Sequence, residues 1–461
     1  MGTVSRRSFL NATVASTAAC GLLSKGAFSA PLLGGLGSSI LGANDRIRLG
    51  VIGPGGQGKH MMRTFLENEE VDFVAISDID DSRIAEAVDL VKEARPTVPD
   101  GYRDFRMVID REDIDAVLIA TPDHWHALPT IYACEAGKDV YVEKPLATSI
   151  GEGRAMLEAS KKYNRVVQMG THWRSCPHYK EAVDFVHSGK LGKIRMVRCW
   201  AYLDWTKSTG NPPDGAPPDG VDYDLWLGPS PNRPFNPARF HYTFRWFWDY
   251  AGGLMTDWGV HLINLAMWGM NYPEPIKVSS MGGKFVLTDL MDTPDTQQAI
   301  YEFPEFSMIW EHQMKGGIGA MNRPHGVLFS GADATLILDS DGWEVIPEKE
   351  KSVAAEKHEG QDSNHSFHVR NFLDCMKTRE LPVENLEVGH NVSSVAHLGN
   401  LAYMTGRTIH WDAENERILN DPEANRLVHK DYRAPWVLPG AATVGATPKR
   451  RSRRSWFCCP K

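Results

Sequence analysis

Lys144 stands directly before Pro145, and Asp257 and His261 stand four residues apart in "GGLMTDWGVH". These residue types can move a proton to or from a hydroxyl. A lysine amine reaches a hydroxyl oxygen, and a neighbouring positive charge pushes it toward the neutral form that suits proton exchange. Histidine accepts protons near neutral pH. A spacing of four puts Asp257 and His261 on one helix face, where Asp257 can orient the ring or bind substrate. Gly252-Gly253 allow a close turn into that helix, and Pro145 fixes the extended turn that aims Lys144. The expected catalytic residues are therefore Lys144, Asp257 and His261.

Removing a proton from a carbinol is useful only if a hydride leaves the same carbon. A carrier for it is written earlier in the chain, in "GVIGPGGQGKH", where Gly53, Gly55 and Gly58 have the spacing GxGxxG. The first glycine permits a tight turn, the second lets backbone approach a pyrophosphate, and the third lets helix pack on strand. The loop Gly53-Pro54-Gly55-Gly56-Gln57-Gly58 and the helix N-terminus behind it then present N–H groups to phosphates. "VDFVAISD" ends in Asp78, about twenty residues past the last glycine. A carboxylate there accepts the ribose hydroxyls of NAD and repels the 2′-phosphate of NADP. NAD is the expected cofactor. Asp80 is the neighbouring carboxylate with a competing claim, and a helix N-cap is the structural alternative for Asp78.

These motifs need a parallel sheet to carry them. Arg46–Ile52 is β-rich, and apolar residues recur at helical spacing through Met61, Met62, Phe65 and Leu66. The alternation continues with a strand at 116–120, a helix at 127–136, a strand at 140–142, a helix at 150–163 and a strand at 166–168. Such repeats with continuous apolar strands predict a doubly wound Rossmann sheet. Its cofactor lies at the carboxyl ends of the strands, so "ATPDHWH" and "EKP" point into the cleft. Thr121, Pro122, His126, Glu143 and Lys144 join the expected cofactor-binding set. "HWH" lacks a third ligand, and no metal site is indicated.

The 461 residues suffice for two domains, and a formal net charge of -8 argues against a nucleic-acid footprint. The seven cysteines contain no CxxC pair. Cys134, Cys176, Cys199 and Cys375 read as small core residues, while Cys458 and Cys459 fall in the basic tail "PKRRSRRSWFCCPK", which reads as a disordered end. Ser5-Arg6-Arg7-Ser8-Phe9-Leu10 precedes a run too short and polar to span a bilayer, and resembles a twin-arginine export signal. Cleavage after Ser29 or nearer Ala43 fits that reading. Thr17-Ala18-Ala19 lacks the leucine expected before a lipid-anchored cysteine, which argues against an anchor at Cys20. The expected location is periplasmic, reached through the twin-arginine export machinery.

Taken in order, Gly53–Gly58, Asp78, Thr121-Pro122…His126, Ala136-Gly137-Lys138, Glu143-Lys144-Pro145 and "GGLMTDWGVH" resemble the Gfo/Idh/MocA family, the glucose–fructose oxidoreductase and inositol dehydrogenase relatives. The resemblance runs from about Arg46 to about Trp411. It implies a Rossmann domain followed by an α/β domain with a large open, mainly antiparallel sheet, and association of copies through that sheet. It also implies oxidation or reduction of carbinols of sugars, inositols and related compounds with NAD or NADP. Two departures stand out. The family often has asparagine at the position of Asp123 and aspartate at that of Asn264.

The expected organisation is a leader and linker over 1–43, an NAD-binding domain over 44–169, a substrate domain over 170–425 and an extension over 426–461. In the second domain "THWRSCPHY" opens a helix reaching His187, "KIRMVRCWAYLDW" reads as a strand, and "GNPPDGAPPDG" is a loop over the cleft. Strands dominate 276–346, and helices return at 365–376 and 388–404. Half of the 14 tryptophans fall between Trp200 and Trp268, and aromatic faces stack on sugar C–H surfaces. His172, Arg174, Arg245 and Trp246 are the expected substrate contacts, although packing is the ordinary role of most such aromatics. Two enzyme functions fit: an exported NAD-dependent sugar or polyol oxidoreductase, and an NAD-dependent glycosidase that oxidises, eliminates, hydrates and re-reduces. A sugar-binding module without turnover fits poorly with Lys144 and His261.

Overall fold

The computed structural model describes residues 46–361 and 364–440. The stretch expected to be an export leader, with Cys20 and the two expected cleavage positions, and the basic tail with Cys458 and Cys459 lie outside the described residues.

Among those residues, six parallel strands form the first sheet: β1 (Ile47–Ile52), β2 (Val71–Ser77), β3 (Asp100–Tyr102), β4 (Ala116–Ile119), β5 (Asp139–Val142) and β6 (Val167–Met169). Their order is β3-β2-β1-β4-β5-β6, the doubly wound Rossmann arrangement. β4 and β5 are buried at every position, because helices cover both faces. The helix Gly56–Leu66 buries Met61, Met62, Phe65 and Leu66, the apolar stripe read from the sequence. A helix from far downstream, Ser366–Thr378, completes this layer. Its Val369, Phe372 and Leu373 join the core around Phe65 and Tyr141.

The second sheet has ten strands among the described residues. They are β7 (Met196–Leu203), β8 (Lys277–Gly283), β9 (Thr296–Glu302), β10 (Ser307–Met314), β11 (His325–Ser330), β12 (Ala334–Asp339), β13 (Gly342–Pro347), β14 (Glu356–Glu359), β15 (Ile409–Asp412) and β16 (Arg417–Ile418). The order is β14-β13-β12-β11-β7-β10-β9-β8-β15-β16, antiparallel except where β7 pairs with β10. β9 alternates buried and exposed residues, since helices cover one face of the sheet and leave the other open. The helices Gly259–Gly269 and Leu386–Thr405 lie on the covered face, and the second also packs on the helix Ile150–Lys162 of the first domain.

A final segment ties the two halves together. Beyond Leu427 the chain returns to the Rossmann side, where Tyr432 donates to Glu152 at 2.7 Å and Trp436 packs edge-on against Trp125 at 4.8 Å. Lys430 donates to the carbonyl of Asp249 at 2.6 Å, and Arg433 donates to the carbonyl of Gly228 at 2.9 Å.

Three local expectations need correction. The helix expected from "THWRSCPHY" begins as a 3-10 turn, His172–Ser175, and becomes α-helical only from Pro177, which fixes the first helical turn. Asp257 and His261 do not share one helix. A five-residue helix ends at Asp257, and a second begins at Gly259. The Pro/Gly loop expected over the cleft contributes no residue to its lining; its end docks beside β2, where the Asp81 amide donates to the carbonyl of Gly220 at 3.2 Å.

Candidate active site

The carboxyl ends of β1, β2, β4 and β5 open onto two joined hollows. The narrower one is lined by Gly53, Asp78, Ile79, Phe105 and Trp125. The larger, with about 1420 Å³ of empty space including its solvent mouth, lies over Gly55–Gln57, Thr121–Asp123, Glu143 and Lys144. Arg83, Thr121 and His241 border both. The enclosed part, about 500 Å³, falls within the few hundred to about 1000 Å³ of ordinary ligand pockets.

The glycine loop fits a pyrophosphate. Gly53 has φ +82°, and a Cβ on Gly58 would lie 2.5 Å from the carbonyl oxygen of Gly53. A Cβ on Gly56 would meet nothing within 4 Å, so the backbone is open where phosphates would approach. Thr121 Oγ1 is buried without a hydrogen-bond partner, an orphan that a bound nucleotide can satisfy. Gly53, Gly55, Gly56, Gln57, Gly58 and Thr121 together would hold the diphosphate and its flanks.

Asp78 sits just past β2 in the narrow hollow. The helix cap belongs to Asp80, whose carboxylate accepts from the amide of Ser82, so Asp78 is not consumed in capping. Burial pushes the Asp78 carboxyl up to about 6, against the lowering effect of Arg83. Asp80 instead faces His241, 3.1 Å away.

In the large hollow, Lys144 Nζ donates to Asp257 Oδ1 at 2.8 Å and to the Asp257 carbonyl at 2.9 Å. Arg245 Nε donates to the same carboxylate oxygen at 3.2 Å. Burial alone would raise the Asp257 carboxyl, but Lys144 and Arg245 outweigh it and bring it down to about 2. Glu143 is buried; Gln57 Nε2 donates to it at 3.0 Å, and a Cβ on Gly170 would lie 2.9 Å from its Oε2. His261 is 9% exposed and lines the cleft. Burial and then the Lys144 charge hold its ring neutral at ordinary pH. Asp257 is committed to Lys144 and Arg245, so it orients those two cations rather than the His261 ring.

The expected substrate contacts divide. His172 and Arg245 line the cleft; Arg174 and Trp246 do not. The 3-10 turn His241–Trp246 sets successive side chains about 120° apart, so Arg245 faces the cleft while Trp246, 1% exposed, enters the core. Arg174 points behind the site, its guanidinium 4.9 Å from the ring of Trp268 and 5.0 Å from that of Tyr272. His126 also lies behind the cleft. Its ring nitrogens lie 2.7 Å from the carbonyl of Pro145 and 3.0 Å from that of Thr121, and the one N–H of the neutral ring donates to one of them, between the two cofactor loops. Asn264 belongs to a buried network, donating to Glu384 at 2.8 Å and to Thr171 at 3.2 Å. Aspartate at that position would set two carboxyls against each other.

Sequence reasoning missed Arg83, Tyr242, Trp173 and His365. Arg83 had a signal, since it lies in the first helical turn after Asp78. A Cβ on Gly55 would lie 3.0 Å from its guanidinium, which therefore overhangs the phosphate loop. His365 had none. It stacks on His172 at 3.7 Å, and its Nδ1 lies 3.2 Å from His60 Nε2. Among the described residues, no group of three or more His, Cys, Asp or Glu side chains is placed to hold a metal ion.

The doubly wound sheet and a phosphate-open glycine loop define a Rossmann oxidoreductase. Residues 47–171 match the model of the Gfo/Idh/MocA oxidoreductase family, NAD-binding Rossmann fold, and residues 191–308 and 333–438 match its C-terminal alpha/beta domain. The chain belongs to that family. It is 38% identical over 109 residues to a levoglucosan dehydrogenase of Pseudarthrobacter phenanthrenivorans, covering 24% of this chain and 28% of that one. It is 30% identical over 210 residues to a glycosyl hydrolase family 109 protein of Saccharopolyspora erythraea, covering 43% and 46%. The chain thus spans less than half the length of each of these relatives. In fold it resembles a solved levoglucosan dehydrogenase in complex with NADH and levoglucosan, with TM-score 0.63, 18% identity, and coverage of 79% of this chain and 99% of that one.

Proposed function

We propose that this protein is an exported NAD-dependent oxidoreductase acting on a carbinol of a sugar, polyol or sugar derivative. The observation that carries the reading is the Lys144–Asp257 ion pair, 2.8 Å long, in one cleft with a neutral His261. NAD, when bound, supplies the hydride acceptor. Lys144 Nζ, fixed by Asp257, donates to the substrate oxygen and positions it. The neutral His261 ring accepts the hydroxyl proton as the C–H bond breaks, and returns it in the reverse direction. His172 and Arg245 bind neighbouring hydroxyls, while Trp173 and Trp258 offer aromatic faces to sugar C–H surfaces. Asp78 selects NAD over NADP by accepting the ribose hydroxyls. The test is a panel of monosaccharides, disaccharides and polyols mixed with the protein and NAD and followed at 340 nm. Failure of every carbinol to reduce NAD, and of every ketose or keto-sugar to oxidise NADH, would refute the reading.

Export gives the cofactor a particular demand. Free NAD is scarce outside the inner membrane, and a twin-arginine leader lets a chain leave folded around its nucleotide. The proposal therefore includes tight retention of NAD and its regeneration on the enzyme. Protein recovered from the periplasm should carry near-stoichiometric nucleotide through gel filtration. Nucleotide-free protein that needs external NAD at each turnover would remove this part.

The likeness to a glycosyl hydrolase family 109 protein favours a second reading. Here transient oxidation, elimination of the glycoside, hydration and re-reduction would close the cycle without net redox change. Release of a chromogenic aglycone without added NAD distinguishes it from the first.

A further inference from the structure

One carboxyl in the cleft has no assigned task. Asp123 follows Thr121-Pro122 at the end of β4, is 6% exposed, and borders the large hollow beside Glu143 and Lys144. The other two carboxyls that border the large hollow beside it are tied down. Asp257 accepts from Lys144 and Arg245, and Glu143 accepts from Gln57 and from the Lys144 amide. Among the described residues no group donates a hydrogen bond to the Asp123 carboxyl; burial acts on it, and so do the charges of Arg245, Asp257, Lys144 and Lys430. A buried carboxyl without a protein donor, facing a ligand cleft, is built to respond to what the cleft contains.

The strand order says what that is. Dinucleotides cross the carboxyl edge of such a sheet at the switch between β1 and β4. Asp78 after β2 marks the adenosine end, so the ends of β4 and β5, with Asp123 and Lys144, flank the nicotinamide end. That ring is cationic when oxidised and neutral when reduced. Oxidation of a carbinol breaks one C–H bond, whose electron pair leaves with the hydride, and one O–H bond, whose proton stays with the protein. If the proton remains in the cleft, the cleft's total charge does not change.

We propose that Asp123 stores this proton: its carboxyl is ionised opposite an oxidised nicotinamide and protonated opposite a reduced one, the proton arriving from the substrate hydroxyl by way of His261. The proposal rests on the NAD-dependent oxidoreductase reading above. Its surroundings are consistent with it from every side. Burial pushes the carboxyl up to about 7, within reach of both states, while Arg245, Lys144 and Lys430 lower it and Asp257 raises it. Lys430 arrives from the C-terminal segment and is anchored on the Asp249 carbonyl. His124 and His126, the adjacent titratable groups, turn to backbone carbonyls and are held neutral by burial. His172, His261 and His365 on the opposite wall are held neutral by burial as well. A proton kept inside is immediately available for the return step that an enzyme with a retained cofactor requires.

The test reads protons and not turnover. NAD+ and NADH are titrated calorimetrically into the nucleotide-free full chain between pH 6 and 8, in buffers of different ionisation enthalpy. In the wild type, NADH binding should take up more protons than NAD+ binding, with a difference approaching about one per site near pH 7, and the affinity ratio of the two nucleotides should drift by up to about tenfold per pH unit. Asp123→Asn, with its thermal unfolding checked against wild type, should reduce that difference to near zero. Equal proton linkage for the two nucleotides in wild type overturns the proposal without any variant. Its persistence in Asp123→Asn, or its loss in Glu143→Gln instead, also overturns it. Failure of either nucleotide to bind overturns the oxidoreductase reading itself, and this proposal with it.

Discussion

The two walls of the cleft are built differently. The nucleotide wall consists of short contiguous runs, 53–58, 78–83, 121–123 and 143–144, each placed by the end of one strand of one sheet. The opposite wall draws His172, Arg245, Asp257, His261 and His365 from five separate stretches, held by 3-10 turns and broken helices. A wall made of strand ends tolerates little local change, because each residue's direction is set by the pleat behind it. A wall assembled from turns takes its directions from packing, and neighbouring residues such as Arg245 and Trp246 diverge.

Predictions can separate the walls. The largest effect is expected where they meet. Lys144→Ala and His261→Ala should each lower turnover by about 10²–10⁴-fold with nucleotide affinity largely kept, and the double variant should lose far less than the product. Steady-state kinetics and nucleotide titration check this, and near-normal turnover in either variant would remove that residue from the mechanism. Next comes Asp257→Ala, which strands Lys144 and Arg245 in a buried site. Unfolding in denaturant should show a loss of about 3–5 kcal/mol, the usual cost of removing one partner from a buried ion pair. A loss under about 1 kcal/mol would mean that the two cations find water instead.

On the nucleotide wall, Gly58→Ala drives a methyl to 2.5 Å from the Gly53 carbonyl, which is backbone and cannot swing aside. A cost of about 1–3 kcal/mol is expected, read as weaker NAD binding in calorimetry. The smallest effect is a pH dependence at Asp78. Under the proposed role of Asp78, NAD ribose hydroxyls would donate to the ionised carboxylate, so binding would favour ionisation and affinity should rise with pH until Asp78 is fully charged. With the free carboxyl at about 6, affinity should be nearly flat above pH 7 and fall by about tenfold between pH 7 and 5. Asp78→Ser should flatten that slope and improve NADP; an unchanged slope would assign it to another group.

The same contrast explains what was legible in the amino-acid sequence. Glycine spacing, strand ends and the lysine before Pro145 are local, and the Rossmann sheet and its nucleotide loop follow from them. Asp257 and His261 could be picked out by type, but not the helix break between them, because no proline or strong capping signal marks Trp258. Trp246 and Arg174 have chemistry that suits sugars, but packing carries Trp246 into the core and turns the part-buried Arg174 toward the rings of Trp268 and Tyr272. His126 was chosen for its neighbourhood and proved to brace the loops from behind. His365 lies more than a hundred residues from every other cleft residue, and only the docking of the helix Ser366–Thr378 on the first domain brings it in.

The returning segment beyond Leu427 has a consequence for how the molecule is made. A ribosome delivers the chain from its N-terminus, so both sheets can form before Lys430, Tyr432, Arg433 and Trp436 emerge. Until they do, Glu152 lacks its tyrosine donor, and Trp125, which borders the narrow hollow, lacks the ring that closes over it. A nascent protein halted at the last strand would own every residue of the glycine loop, yet lack the contacts that brace Trp125 and Glu152 from behind. Emergence of this segment, and not folding of the first domain alone, is then what completes the packing behind the narrow hollow.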